Sequence, residues 1–145
     1  MNLYTIGFTG KSADRFFRLL KDSKATVLID IRINRNSQLA GFTKEQDLGY
    51  FLSELAGMKY LTREDLAPTK ELLASYRNKE ITWNKFAEKY QQLLDERGVI
   101  AKLSEQEFEN AVLLCSEDKP EKCHRTLLAN LLVEKYPGSK VTNLL

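Results

Sequence analysis

The stretch TVLIDI, residues 26–31, predicts a buried β-strand. Its nearly unbroken run of apolar and β-branched residues is typical of a parallel strand that is covered by helices on both faces. The stretch AVLLC, residues 111–115, has the same character.

Asp30 interrupts the first run, and a buried carboxylate is too costly to keep charged unless it is paired or lies at an exposed strand end. Its position is equally consistent with an ion pair to Arg32 or Arg125 and with a catalytic acid or base.

Helices and shorter strands alternate with these two runs. Further strands are predicted at LYTIG (3–7), MKYL (58–61) and KVTNLL (140–145). Apolar residues at helical spacing predict helices over residues 13–20, 48–55, 82–94 and 124–131, and a shorter one near 72–76. Capping boxes are expected at Thr43 with Gln46 and at Ser104 with Glu107. This alternation predicts a Rossmann-like, three-layer α/β/α sandwich with a mainly parallel sheet of about five strands.

The composition fits one soluble α/β domain spanning residues 1–145. Of the 145 residues, 43% are hydrophobic and 29% are charged, which is an ordinary globular balance. No basic leader precedes an apolar segment, and no run approaches the ~20 apolar residues that span a bilayer, so we expect a cytoplasmic protein without a membrane partner. The net charge of +2 does not favour a protein that coats nucleic acid. Cys115 and Cys123 lie too close together for a secreted disulfide framework and are interpreted as thiols.

Polar residues follow the strands at the sheet edge where ligands bind in this class of fold. Open α/β sheets bind ligands beyond the carboxyl ends of the strands, where the strand order reverses. If the order is 3-2-1-4-5, the crevice opens between the Gly7 turn and the loop after Cys115. The residues brought to this edge by the first, second and fourth strands are Gly7, Thr9, Asp30, Arg32, Cys115 and Glu117.

The segment Cys123-His124-Arg125 is predicted to form the first turn of the following helix. Free N–H groups and the helix dipole favour an anion and a thiolate there. Cys123 is therefore either a nucleophile with a depressed pKa or a small buried hydrophobe. His124 is in phase with the leucines of the helix, so we expect its ring to face the sheet. Arg32 and Arg125 suit a phosphate or carboxylate, which guanidinium binds through forked hydrogen bonds.

A zinc site at Cys115, Cys123 and His124, with Asp30 as fourth ligand, is not expected. The spacing departs from known structural sites, and adjacent Cys123 and His124 would point about 100° apart on a helix. We therefore predict no metal and no cofactor. A phosphatase loop of the form C-x5-R is also absent, since Arg125 follows Cys123 by only two positions.

The sequence resembles a widespread bacterial family called domain of unknown function 488. The resemblance runs through nearly the whole chain and is carried by TIG (5–7), IDIR (29–32), FTK (42–44), LAPTKELL (66–73) and above all LLCSEDKPEKCHR (113–125). It implies an α/β fold and a shared polar site, but no established activity. Many members have His after TIG, whereas this chain has Phe8, so a mechanism that needs that imidazole is not expected here.

Three hypotheses about function remain open. The first is an enzyme, a Cys- or Asp-dependent transferase or hydrolase, acting on a small anionic substrate such as a nucleotide or a phosphorylated metabolite. Its catalytic residues would be Cys123, Asp30 and Glu117, and its substrate-binding residues Arg32, Arg125, His124, Gly7, Thr9 and Cys115. The second is a non-catalytic ligand-binding or sensing module that uses the same cluster. The third is a nucleic-acid-associated factor that uses the Lys and Arg side chains around residues 32–44.

Overall fold

A five-stranded parallel sheet lies at the centre of the computed structural model, which describes residues 1–36, 38–117 and 119–145, with the backbone alone at 38 and 39. The strands are β1 (Asn2–Gly7), β2 (Val27–Asp30), β3 (Lys59–Thr62), β4 (Ala111–Cys115) and β5 (Lys140–Leu144). They are ordered β3-β2-β4-β1-β5, and every neighbouring pair is parallel. The predicted α/β class and mainly parallel sheet are confirmed.

The predicted strand order 3-2-1-4-5 is wrong, because β4 lies between β2 and β1. Burial explains the arrangement. All five residues of β4 are buried, so this strand requires neighbours on both sides and helices on both faces. The more exposed β3 and β5 take the two edges. The sequence indicates that β4 is a buried strand, but the long crossover connections between parallel strands do not determine which strands lie beside it.

Helices cover both faces of the sheet. They are α1 (Ala13–Asp22), α2 (Glu45–Ala56), α3 (Lys70–Arg77), α4 (Trp83–Arg97), α5 (Val99–Lys102), α6 (Glu105–Phe108) and α7 (His124–Lys135), with 3-10 segments at Gln38–Thr43 and Glu64–Leu66. On one face, Phe16 of α1 and Leu52 of α2 pack against the sheet residue Leu114. On the other, Tyr90 of α4 and Leu128 of α7 pack against Leu113. No helix in the described ranges combines the length and apolar character needed to cross a membrane.

The two predicted capping boxes have different outcomes. The box at Ser104 and Glu107 is confirmed and begins α6. The box at Thr43 is wrong, because α2 begins after Lys44 without a side-chain cap. The Thr43 hydroxyl instead donates to the Ala40 carbonyl at 2.8 Å and accepts from Arg32 Nη1 at 3.2 Å. A buried tertiary partner therefore takes the place of the local capping bond.

Asp30 and Arg32 form a buried ion pair at the end of β2, with side chains 0% and 1% exposed. Arg32 Nε donates to Asp30 Oδ1 at 2.9 Å and Nη2 donates to Oδ2 at 2.7 Å. The Tyr60 hydroxyl donates to Oδ2 at 2.6 Å, and Arg32 Nη2 also donates to the Thr43 carbonyl at 2.7 Å. Both carboxylate oxygens are thus engaged, which is the paired state that the sequence left as one of two alternatives for Asp30.

Replacing Asp30 tests how strongly the fold depends on this pair. We expect Asp30→Asn to lower the free energy of unfolding by about 3–5 kcal/mol, because it leaves a buried guanidinium without its counter-charge. The matched control is Asp14→Asn, which removes an exposed partner of Arg18 and should change stability little. Urea denaturation followed by circular dichroism measures both, and equal losses in the two variants would contradict the assignment.

Candidate functional site

The reversal of strand order lies between β2 and β4. The chain leaves β2 toward the β3 edge and leaves β4 toward the β5 edge, so a crevice opens beyond their carboxyl ends. The predicted crevice between β1 and β4 is therefore displaced by one strand. A cavity of about 360 Å³ lies at this point. Among the described residues it is lined by Phe8, Thr9, Arg32, Ile33, Asn34, Leu73, Tyr76, Arg77, Trp83, Phe86, Cys115, Ser116, Glu117, Lys122, Cys123 and His124.

Cys115, Cys123 and His124 form a thiol–imidazole cluster on the floor of this cavity. Cys115 Sγ lies 3.3 Å from His124 Nδ1, and the three donor atoms all lie within 4.8 Å of one another. The side chains are only 4%, 2% and 5% exposed, respectively. Cys115 at the end of β4 thus meets Cys123 and His124 at the start of α7, which follow it by eight and nine positions in the sequence.

A backbone bond fixes the orientation of the His124 ring. Nε2 lies 2.8 Å from the carbonyl oxygen of Ile31, and a carbonyl only accepts, so Nε2 carries the proton. Burial lowers the pKa of His124 below its ordinary value, which keeps the ring neutral at pH 7. Nδ1 therefore presents its lone pair toward Cys115. The ring faces the sheet, as its phase with the leucines predicts.

Cys123 is the N-cap of α7 and not part of its first turn. Its backbone is extended, with φ −131° and ψ 141°, and its carbonyl accepts from Thr126 N at 3.1 Å. Its Sγ lies 3.9 Å from Arg125 Nη1. The expectation that Cys123 and His124 point about 100° apart assumed that both are helical, and the extended cap removes that assumption.

The pKa of the Cys123 thiol argues against the first of the two alternatives that the sequence left open, a depressed pKa, and its burial agrees with the second. Its hydrogen bond to Cys115 and then its burial raise the pKa of Cys123 above the ordinary thiol value. Burial opposes ionisation of Cys115 as well, but the hydrogen bond from Cys123, the charge of Arg125 and the Glu117 and Ser116 amides together lower the pKa of Cys115. Cys115, at the end of β4, is therefore the more acidic thiol.

Gly7 and Arg125 pack against the loop that follows β4, on the side away from the cavity. Arg125 is fully buried, and its Nη1 donates to the Glu117 carbonyl. A methyl group at Gly7 would overlap that carbonyl and contact the Arg125 guanidinium, so the loop can approach β1 only at a glycine. Neither Gly7 nor Arg125 is among the described cavity-lining residues.

The remaining predicted site residues divide in the same way. Thr9, Arg32, Cys115, Glu117, Cys123 and His124 all line the cavity. Asp30 lies behind it and reaches it only through its ion pair with Arg32. The predicted residues therefore do meet at one sheet edge, where Gly7, Asp30 and Arg125 lie behind the cavity and the others line it.

An aromatic wall and a charged rim complete the cavity, and the sequence reasoning missed them. Trp83 and Phe86 are stacked with centroids 5.2 Å apart and an interplanar angle of 16°, and Tyr76 meets Trp83 edge-on at 5.4 Å. At the rim, Arg77 Nη2 lies 3.5 Å from Glu117 Oε1. Helical spacing indicates only that a face is covered. Phe86 belongs to the buried core, Tyr76 and Trp83 pack against it, and all three also line the cavity.

The comparison with known families agrees with the motifs in the sequence. Residues 12–132 match the family described as Domain of unknown function DUF488, and the chain belongs to this family. No curated protein and no solved structure matches the chain. The match includes Cys115, Cys123 and His124, whereas β1 with Gly7 and Phe8 precedes it.

The buried neutral imidazole predicts how stability changes with pH. Because the pKa of His124 is lowered in the folded state, the unfolded chain binds a proton below its pKa of about 6.5 while the folded chain does not. The free energy of unfolding should therefore fall as the pH is lowered from 7 to 5.5. His124 is the only histidine, so His124→Gln should flatten the profile in this window.

Urea denaturation at a series of pH values measures this effect. Protonation of carboxylates changes the stability mainly below about pH 5. The change in the free energy of unfolding between pH 7 and 5.5 therefore reports on the imidazole. A wild-type profile that is flat between pH 7 and 5.5, or one that His124→Gln does not change, would contradict the buried neutral state.

Proposed function

We propose that this chain is an enzyme that acts on a small anionic substrate, a nucleotide or a phosphorylated metabolite, bound between the ends of β2 and β4. One observation carries the proposal: the cavity combines an aromatic wall and a basic rim with a buried thiol–imidazole cluster beneath them. The family description names no activity, so the support comes from the geometry of this site.

The aromatic wall favours a ligand with a planar ring. Tyr76, Trp83 and Phe86 all line the cavity. Phe86 is 1% exposed and stacks on both Trp83 and Tyr90, so Trp83 and Tyr76 supply the ring surface for a ligand. Stacking of a base on an aromatic side chain contributes about 1–3 kcal/mol. The cavity volume of about 360 Å³ lies in the range of small-molecule pockets. These features favour a nucleotide over a bare phosphate or a short carboxylate.

The rim supplies positive charge for the phosphate. Arg77 and Lys122 lie at the cavity mouth, and Arg77 is only weakly paired with Glu117 at 3.5 Å. A phosphate offers closer, charge-assisted hydrogen bonds than that carboxylate does. An adjoining cleft of about 640 Å³ shares Arg77 and adds Arg35 and Lys70, which gives room for a sugar or a second phosphate.

The contacts favour a different division of roles from the predicted one, which named Cys123, Asp30 and Glu117 as catalytic and Cys115 as substrate-binding. Cys115 is the more acidic of the two thiols and lines the cavity floor. Glu117, the predicted acid or base, is about half exposed at the cavity mouth. Asp30 has both oxygens engaged and acts as a positioning residue that holds Arg32. We therefore assign the chemistry to the cavity floor and not to Asp30.

A non-catalytic ligand-binding module is the second candidate. It is favoured by the burial of Cys115 and Cys123, which are 4% and 2% exposed, because thiols buried in this way are often unreactive. Both candidates use the same cavity and rim. They differ only in whether the bound ligand is chemically changed.

Trp83 provides a direct test of binding because it is the only tryptophan and lines the cavity. We expect nucleotides or sugar phosphates to change its fluorescence, with Arg77→Gln weakening the best ligand at least about tenfold, since hydrogen bonds to charged groups contribute about 1.5–3 kcal/mol. The control is Arg18→Gln on the exposed face of α1, which should leave affinity unchanged. No response to any anion in the panel would overturn the proposal.

Turnover then separates the two candidates. With the best ligand, Cys115→Ala should retain the Trp83 fluorescence response but abolish conversion of the ligand. Chromatography of the ligand after incubation with the protein measures conversion. Binding without conversion by the wild-type protein would establish the non-catalytic module instead.

A further inference from the structure

We propose that Cys115, Cys123 and His124 hold a zinc-class metal ion with one coordination position open to the cavity. Two sulfurs and one imidazole nitrogen form a donor set suited to Zn²⁺, and three protein ligands with an open fourth position are typical of catalytic zinc sites. The inference deepens the proposed function, because it states what the cavity floor carries. It also stands on its own, since metal binding needs no substrate.

The distances fit a metal ion. Tetrahedral zinc with Zn–S near 2.3 Å and Zn–N near 2.0–2.1 Å places sulfur and nitrogen about 3.5 Å apart and the two sulfurs about 3.8 Å apart. Cys115 Sγ and His124 Nδ1 are 3.3 Å apart, and all three donor atoms lie within 4.8 Å of one another. Coordination therefore requires sulfur and nitrogen to move by only about 1 Å or less.

The tautomer of His124 is the one that a metal requires. Nε2–H donates to the Ile31 carbonyl at 2.8 Å, so the lone pair of Nδ1 faces Cys115. Metal-bound histidines almost always donate their other ring N–H to a carbonyl or carboxylate, which fixes the ring in this way. Tyr90 meets the ring edge-on at 5.7 Å and further limits its rotation.

The surroundings leave the fourth position to a ligand from the cavity. Asp30, which a four-residue site would recruit, has both oxygens engaged by Arg32 and Tyr60. Within residues 1–36, 38–117 and 119–145, the only group of three or more His, Cys, Asp or Glu side chains placed to hold an ion is this cluster. All three ligands also line the cavity, so a bound ion would face the substrate pocket.

Charge balance supports thiolate ligands at this position. Binding of one divalent ion to two protonated thiols forms two metal–sulfur bonds and one metal–nitrogen bond, and it releases two protons. The two thiolates cancel the charge of the ion. Arg125 Nη1 lies 3.9 Å from Cys123 Sγ, so the guanidinium adjoins the sulfur that would carry one of the two negative charges.

Co²⁺ is the most direct probe because it gives thiolate-to-metal charge-transfer bands and intense visible bands in tetrahedral sites, whereas Zn²⁺ is spectroscopically silent. Reduced, metal-free protein should bind one Co²⁺ with both signatures, and one equivalent of Zn²⁺ should displace it. Cys115→Ser, Cys123→Ser and His124→Gln should each weaken binding by more than the ~10–100-fold that loss of an outer-shell partner costs. Arg18→Gln is the control and should bind Co²⁺ like the wild type.

The outcomes separate this inference from the proposed function. If the wild-type protein gives no charge-transfer band and no displacement by Zn²⁺, the metal site is overturned, whatever the fluorescence titration of Trp83 shows. If the bands appear but no anion changes Trp83 fluorescence, the metal site stands and the proposed substrate class fails. Because the wild-type titration is decisive by itself, a cysteine variant that does not fold leaves the test intact.

Discussion

The hydrogen bond from His124 Nε2 to the Ile31 carbonyl is the interaction on which the site depends. Ile31 N in turn donates to the Leu114 carbonyl at 3.3 Å, so the ends of β2 and β4 and the start of α7 are joined at one point. This arrangement turns Nδ1 toward the thiols and places all three side chains of the cluster on the cavity floor. Loss of this bond would remove the contact that fixes the orientation of the His124 ring and positions the start of α7.

Two buried supports hold this junction in place. The Asp30–Arg32 pair anchors the end of β2 to Thr43 and Tyr60, and Gly7 lets the loop after β4 pack directly against β1. Arg32 and Gly7 were predicted to bind substrate, and Asp30 was predicted to be either an ion-pair partner or a catalytic acid or base. Neither Asp30 nor Gly7 is among the described residues that line the cavity, whereas Arg32 is. The sequence therefore predicted the sheet edge at which these residues lie, but not which of them reach the cavity.

The sequence predicted what depends on local pattern. The buried runs at 26–31 and 111–115 predicted the parallel sheet, and the helical spacing after Cys123 predicted α7. The order of the strands could not be predicted, because crossovers of the observed length permit several orders. The extended backbone of Cys123 was also missed, since the residues around it carry no signal that separates an N-cap from a first helical position. The aromatic wall depends on how α3 and α4 pack, which spacing alone does not determine.

A basic, aromatic-walled pocket lies over a buried donor cluster where the strand order reverses. Nuclear magnetic resonance mapping of backbone amides during titration with a nucleotide panel tests that placement most directly. The largest shift changes should cluster at Thr9, residues 32–34 and Ser116, at the ends of β1, β2 and β4. Shift changes confined to the outer faces of α1 and α2, or spread evenly over the surface, would contradict it.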